Sequence, residues 1–518
     1  MRARKIVTAV AAGATLMTGM AVTGQASADA ADLAGAAGTF HRQTLTWHGC
    51  RTGPDDETGE KLDAAGAQCA EVTVPLDYRD PRGRTISVAI SRIRATDPAR
   101  RRGALLINPG GPGGSGVPQV LLAGYMPAVA ARYDLIGMDP RFVGRNRQIR
   151  CRWTTDTPTR SAGPTRRTFD ESVTLMKELA DGCAQGDRDL LPHATTRNTA
   201  RDMDVVREVL GEPKLSYLGY SYGTYLGAVY TQMFGARADR IVLDSAVGPD
   251  VYGPDLLSEN GPAIAAALRN WASWAAARDA EYGLGTTEAE VLATVERVNQ
   301  AATRRPLRVG PYRLGFQHVP YLLFVRLYDD RPEAYAGLAA EVRVLADAAR
   351  GRTVTVPASL KETLDGLFTG SGSAEDRAGT PIICADKPAT RDPQSYFRDI
   401  QAHRADEPLF GPMTRNVSPC SFWPTAPVEA PTTIGNDVPL LVVGATGDPV
   451  TPYPGQRAMH RALTGSRMVT LRGAYRHGAY LAAGDTCVDA TVNRYLVDGV
   501  LPGGDTVCDR DGAPGGRR

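Results

Sequence analysis

Residues 215–234 read LSYLGYSYGTYLGAVYTQMF. A short apolar run, 215–218, leads into Gly219-Tyr220-Ser221-Tyr222-Gly223, and an apolar helical segment, 222–234, follows. Strand, G-x-S-x-G, helix is the pattern of a sharp turn that holds a serine in a strained backbone with its oxygen exposed above a sheet. The glycines let neighbouring backbone approach closely, and the start of a helix favours negative charge beside the serine. The bland alternative is a serine in an ordinary βα turn. The strand before and the helix after make Ser221 the candidate nucleophile.

Working outward, residues 72–76, 85–93, 104–107, 133–138 and 240–243 read as strands. Residues 196–210 read as a helix, with Met203, Val206, Val209 and Leu210 on one stripe. Such alternation predicts an α/β fold, a mostly parallel sheet with helices on both faces. It breaks at Ala246. The next stretch, to about Asp437, is mainly helical, with runs at 263–277, 287–302 and 332–349. Strand signals return at 439–443 and 468–471. The economical reading is a core in two segments, 29–245 and 438–508, with a helical cap, 246–437, inserted between them. Residues 370–373 (GSGS) read as an exposed loop, and the polar, Gly-rich residues 509–518 as a flexible tail.

A nucleophilic serine needs a base, and the base needs an orienting carboxylate. Around a turn of this kind the chain order is serine, acid, histidine. Of seven histidines, only His460 and His477 follow the resumed strand near residue 440. His460 falls in a helical run and reads as a helix-surface residue. His477 falls in the loop Arg472–His477 after the last strand, where a base can reach over the sheet. The acid belongs at the end of the strand PLLVV, in Gly444-Ala445-Thr446-Gly447-Asp448-Pro449. Proline after Asp448 keeps it in an extended turn. Asp244, at the end of an earlier strand, is the rival; for either, a plain turn aspartate is the alternative. Two backbone N–H groups should stabilise an oxyanion: that of Tyr222, and one from the loop Asn108-Pro109-Gly110-Gly111-Pro112-Gly113-Gly114. Pro109 has no N–H, so Gly110 or Gly111 supplies it. This loop lacks the Lys-Ser/Thr of a P-loop and fits a dinucleotide fingerprint poorly.

Together NPGGPGGSG, MDPRFVGRN, GYSYG, GATGDPVTP and RHG resemble the secreted actinobacterial tripeptidyl aminopeptidases, α/β-hydrolase serine peptidases related to proline iminopeptidases. The resemblance spans nearly the whole chain after its first thirty residues, with the motifs in the core segments. It implies an α/β-hydrolase fold and release of short peptides from a free N-terminus, with the second oxyanion donor at Gly111. Two departures stand out. Pro109 replaces the histidine of the wider family's His-Gly-Gly-Pro-Gly loop, and Phe142 replaces the glycine of its Asp-Pro-Arg-Gly turn. An exopeptidase must also bind an ammonium group, which calls for cap carboxylates. Asp386, in the family-like segment Ile383-Cys384-Ala385-Asp386, and Glu259 are the candidates, and Arg141 could hold a substrate carbonyl or pair with an acid.

The first thirty residues read as an address. Arg2, Arg4 and Lys5 precede an apolar stretch, 6–22, and the small-x-small pattern Ala26-Ser27-Ala28. This predicts a signal peptide, residues 1–28, and a secreted product, either free or held at the cell wall; an N-terminal membrane anchor is the alternative. No later window has 18 uncharged apolar residues, so no stable membrane span is expected after cleavage. Eight cysteines agree with export: Cys50, Cys69, Cys151, Cys183, Cys384, Cys420, Cys487 and Cys508. Pairing of neighbours is expected, although sequence alone leaves 105 connectivities open. No CxxC or Cys/His spacing fits a metal, and the mechanism needs no cofactor. Of the 518 residues, 59 are Lys or Arg and 57 Asp or Glu, a net charge of +2 that gives no reason to expect a nucleic-acid partner. The same residues would serve a secreted carboxylesterase or lipase, and a non-catalytic binding protein of this fold is a third reading.

Overall fold

The computed structural model describes residues 38–370 and 375–510. The expected signal peptide, residues 371–373 of the expected loop, and residues 511–518 of the expected tail lie outside the described residues. In chain order the strands are β1 (Gln68–Pro75), β2 (Thr85–Ile93), β3 (Gly103–Asn108), β4 (Tyr133–Met138), β5 (Leu215–Tyr220), β6 (Ala238–Asp244), β7 (Leu307–Val309), β8 (Tyr312–Leu314), β9 (Leu440–Ala445), β10 (Ser466–Arg472) and β11 (Thr506–Asp509). Nine of them form one sheet, ordered β1-β2-β4-β3-β5-β6-β9-β10-β11. β1, β2 and β4 pair antiparallel, and every other neighbour pairs parallel. This is an α/β-hydrolase fold.

The burial follows from the residues. β3 (GALLIN) and β9 (LLVVGA) are buried at every position, as strands covered on both faces must be. β1, at the edge, exposes Glu71 and Thr73 while burying Val72 and Val74. One apolar cluster lies on each face of the sheet, around Tyr217, Val229 and Leu243 on one side and Ile107, Leu218 and Val443 on the other. Because β3, β5, β9 and β10 run the same way, their C-terminal ends meet along one rim.

Over that rim sits the helical region, including helices Gly261–Ala276, Glu288–Arg304, Val319–Arg326 and Pro332–Ala349 and the β7–β8 hairpin. It has its own core around fully buried Trp271, Val291 and Leu327. A second excursion joins it. Between β4 and the helix Thr196–Val209, the chain leaves the sheet and forms the helix Arg166–Asp187. Trp153, Phe169 and Met176 from this excursion share a cluster with Cys384, Tyr396 and Trp423 of the cap. The Phe169 and Phe397 rings lie 5.2 Å apart. This excursion falls within the segment expected as core, 29–245, and packs against the cap residues.

The structure pairs Cys50–Cys69, Cys151–Cys183, Cys384–Cys420 and Cys487–Cys508, and leaves no free cysteine among the described residues. The expectation of a free tail from Asp509 gives way at its first two residues. Asp509 closes β11 and pairs with Arg472, and the Arg510 N–H donates to the Arg472 carbonyl while its guanidinium pairs with Asp330. No described helix is long and apolar enough to cross a membrane.

Candidate active site

Ser221 stands at the end of β5 with φ 55° and ψ −126°, a left-handed backbone that a non-glycine residue adopts only under constraint. The constraint is visible. The Ser221 N–H donates to the Asp244 carbonyl (3.0 Å), and the helix Tyr222–Phe234 starts at the next residue. The N–H of Tyr222, in the first turn of that helix, has no intrahelical carbonyl to reach. Against this turn packs the glycine loop after β3. A Cβ on Gly110 would lie 2.5 Å from the Tyr220 carbonyl, 2.8 Å from Ser221 Cβ and 3.3 Å from Tyr222 N. Only glycine allows that approach. The Gly110 N–H itself donates to Asn108 Oδ1 (3.0 Å), and the neighbouring Gly111 lines the same cavity as Ser221.

Asp448 lies three residues beyond β9, fully buried, and His477 five residues beyond β10. His477 Nδ1 is 3.0 Å from Asp448 Oδ2 and 3.2 Å from Oδ1. An Nδ1–H donating to the carboxylate leaves Nε2 as the acceptor, the tautomer a general base requires. Asp448 is itself held. The Val450 and Thr451 N–H groups donate to Oδ1, and Thr451 Oγ1 and Gln456 Nε2 donate to Oδ2. Burial pulls the His477 pKa down, but the charge and hydrogen bond of Asp448 outweigh it and leave the imidazole above its ordinary value of 6.5.

The rival Asp244 has a different task. Its carboxylate accepts from the N–H groups of Ala479 and Tyr480, and Ser245 Oγ accepts from Gly478. It straps the histidine loop to the end of β6. Burial raises its pKa to about 6 despite those bonds. His460 bonds Ser466 and Asp505 at the sheet's other end.

A cavity of about 210 Å³ opens between core and cap, and Ser221, Gly111 and Thr451 line it from the core side. Leu256, Leu257, Tyr321, Phe324, Tyr328 and Met413 make its cap wall. The His477 N–H donates to the Tyr328 carbonyl (2.8 Å), and the two rings meet edge to face at 5.7 Å. The histidine loop is thus fastened to the same cap segment that walls the cavity.

A nucleophile turn, a histidine–carboxylate pair and a glycine loop on one rim describe a serine hydrolase. Sequence comparison makes the assignment narrower. Residues 407–508 match the family described as TAP-like protein. Tripeptidyl aminopeptidase of Streptomyces lividans is 35% identical over 467 residues, covering 86% of this chain and 84% of its own. The chain belongs to the tripeptidyl aminopeptidase family. Serine protease Hip1 of Mycobacterium tuberculosis is 30% identical over 490 residues (90% of this chain, 91% of its own). Carboxylesterase B of the same organism is 30% identical over 492 residues (88% of each). As a member of the tripeptidyl aminopeptidase family, the protein is an enzyme, a serine hydrolase of the α/β-hydrolase fold.

The three residues expected to hold the substrate of such an aminopeptidase lie elsewhere. Arg141 is fully buried, and all five of its N–H donors are used: two on Asp202, and one each on the carbonyls of Pro75, Leu76 and His193. It pins the end of β1 to the helix Thr196–Val209. Asp386 accepts from the Thr196 N–H (2.8 Å) and from Tyr252 Oη (2.7 Å), and burial raises its pKa to about 6. It lines a small cleft with Arg197 and Glu429, apart from the Ser221 cavity. Glu259 is exposed beside a shallow cleft of Val247, Asn260 and Pro452.

Another acid lines the Ser221 cavity, and its neighbour adjoins Gly111. Glu375 and Asp376 open the helix Glu375–Asp386, called the lip helix below. Asp376 lines the cavity, and Glu375 Oε1 sits 2.7 Å from where a Cβ of Gly111 would stand. Burial raises Glu375 to about 7, with the neighbouring Asp376 adding to it. Burial raises Asp376 to about 6, opposed by the Thr157 hydroxyl and helped by Asp156. In sequence they look like any acids in a helix's first turn, and nothing in the spacing marks them.

Proposed function

We propose that the protein is a secreted serine exopeptidase that releases short peptides, tripeptides in the main, from free N-termini. Ser221 Oγ attacks the scissile carbonyl carbon while His477 Nε2 takes its proton. Asp448 stabilises the imidazolium that forms. The Tyr222 and Gly111 N–H groups hold the oxyanion. As the C–N bond breaks, His477 returns the proton to the leaving amine. Water then attacks the acyl-enzyme by the same route and frees the peptide acid. No metal or organic cofactor enters this scheme.

The observation that carries the peptidase reading is the carboxylate pair Glu375–Asp376 at the Ser221 cavity. A substrate ammonium would pair with these carboxylates as it enters the cavity that Asp376 lines; an ester has no such group. Four disulfides and the leader-like N-terminus support export. The second reading, a carboxylesterase, has the apolar cap wall in its favour.

The test is hydrolysis of a tripeptide anilide with a free amine, its N-acetylated twin and a simple nitrophenyl ester, with Ser221→Ala as blank. The exopeptidase cleaves the free-amine anilide and spares the acetylated one. Glu375→Gln and Asp376→Asn each raise its KM roughly tenfold, the scale of one charge-assisted contact. Cleavage of the ester alone would establish the esterase.

A further inference from the structure

Three residues of the cavity lining each hold a buried polar atom that has no partner among the described residues. Arg160 comes from the excursion after β4, and Asn416 and Ser418 from the cap; all three residues line the Ser221 cavity. Arg160 Nε, Asn416 Oδ1 and Ser418 Oγ are each buried with no hydrogen-bond partner among the described residues. Buried polar atoms are normally paired, and each exception asks for a reason.

The rest of each side chain is fixed. Arg160 Nη2 donates to Thr155 Oγ1 (2.7 Å) and to the Leu367 carbonyl (3.0 Å), which orients the guanidinium. Asn416 Nδ2 donates to the Arg160 carbonyl (2.9 Å) and to Ser172 Oγ (2.7 Å). Both amide donors of Asn416 are therefore used, and what remains is a pure acceptor. The orphaned set is one cationic N–H donor, one amide oxygen and one hydroxyl that can do either. Such a set matches a peptide unit, which offers one carbonyl and one N–H. An apolar acyl chain would leave all three unpaired.

We propose that Arg160, Asn416 and Ser418 form a subsite for the peptide backbone on the acyl side of the scissile bond. Arg160 Nε–H donates to a substrate carbonyl, Asn416 Oδ1 accepts a substrate N–H, and Ser418 Oγ completes whichever bond is open. The subsite rests on the peptidase reading and extends it: it selects substrates with at least one peptide unit before the cleaved bond. A site built to pair polar groups rejects substrates that lack them, because its own atoms then stay bare.

The test compares kcat/KM for a tripeptide anilide, a single-residue anilide and a nitrophenyl ester in the parent enzyme, Ser418→Ala and Arg160→Lys. The lysine keeps the positive charge but removes the Nε donor. Thermal midpoints are measured alongside. The expected result is a fall in the ratio of tripeptide to single-residue kcat/KM, roughly fivefold for Ser418→Ala and tenfold or more for Arg160→Lys. Ser418→Ala should hold or raise the midpoint, since it deletes an unpaired buried hydroxyl. Unchanged ratios, or equal losses on all three substrates, overturn the subsite while leaving the peptidase reading intact. A parent enzyme that cuts the ester and neither anilide overturns both.

Discussion

At the scale of single residues, the His477–Asp448 pair makes a prediction with a definite sign. His477 works as a base only when neutral, and its pKa lies above the ordinary value because Asp448 outweighs burial. kcat/KM should therefore fall as pH drops through a value above 6.5. Asp448→Asn removes the raising charge and leaves burial, which lowers. The variant should lose roughly 10³–10⁴ in kcat, the scale known for this change in serine peptidases, and its acidic limb should move to lower pH. A pH–rate profile measures both, and an unmoved limb would show that Asp448 does not face the working imidazole. The acid pair gives a separate signature. Glu375 and Asp376 reach about 7 and about 6, so both are charged only above neutrality. A peptide α-amino group stays protonated up to roughly pH 8. KM for a free-amine anilide should then fall between pH 5 and 7 and climb again past 8, while KM for an ester shows neither change. A flat KM for the free amine would remove these acids from substrate binding.

At the scale of elements, the lip helix and the glycine loop meet backbone to backbone. A Cβ on Gly379, in the lip helix, would come within 2.0 Å of the Pro112 carbonyl, and one on Gly113 within 2.0 Å of the Glu375 carbonyl. In an exposed helix Gly→Ala gains about 1 kcal/mol. Here the methyl would meet main chain, which has no rotamer to move, so the steric effect wins. Gly379→Ala should push the lip helix off the loop, displace the Gly111 donor and lower kcat roughly 10²-fold, the effect of losing one oxyanion contact. Parent-like kcat would mean the two elements separate without consequence. This contact also shows where sequence reading stops. The elements around Ser221, Asp448 and His477 were legible because each combines a buried strand with a glycine- or proline-marked turn, and local patterns report local geometry. The helix Arg166–Asp187 was legible in principle: Phe169, Met176, Leu179 and Cys183 keep helical spacing. Its place in the cap was not, since that depends on partners more than 200 residues away. Phe142 behaves similarly. It has φ 66° at the position where the family carries glycine; its ring is buried in the core, and packing rather than backbone preference retains it. Arg141 and Asp386 are held by buried partners, and Glu259 stands exposed at a neighbouring cleft. Sequence supplies charge and neighbourhood, but whether a charged group faces a cavity or a buried partner is decided by tertiary packing.

At the scale of the whole molecule, no disulfide joins core to cap. Cys50–Cys69 and Cys487–Cys508 tie the two ends of the sheet, Cys151–Cys183 closes the excursion after β4, and Cys384–Cys420 lies within the cap. Apart from the chain's own crossings, hydrogen bonds join the layers. Asn260 donates to the Pro449 and Val450 carbonyls, and the Tyr475 N–H to Asp330. The staples therefore stabilise each layer separately, and only one touches the substrate space. Cys384 sits in the lip helix, and Cys420 lines the cavity beside Ser418. Closing loops of 36 and 21 residues, Cys384–Cys420 and Cys487–Cys508 should each contribute about 3–4 kcal/mol by chain entropy. Their functional consequences should differ. Replacing Cys384 and Cys420 together by alanine frees the helix that carries Glu375 and Asp376 from the wall that carries Ser418, so KM for a tripeptide anilide should rise along with the loss of thermal stability. Replacing Cys487 and Cys508 loosens the far edge of the sheet, and should lower the thermal midpoint by a similar amount with KM unmoved. Calorimetry and steady-state kinetics on the two double variants separate these outcomes. Equal KM changes in both would mean that the cap's grip on the cavity depends on overall stability, and that the Cys384–Cys420 link has no particular part in shaping it.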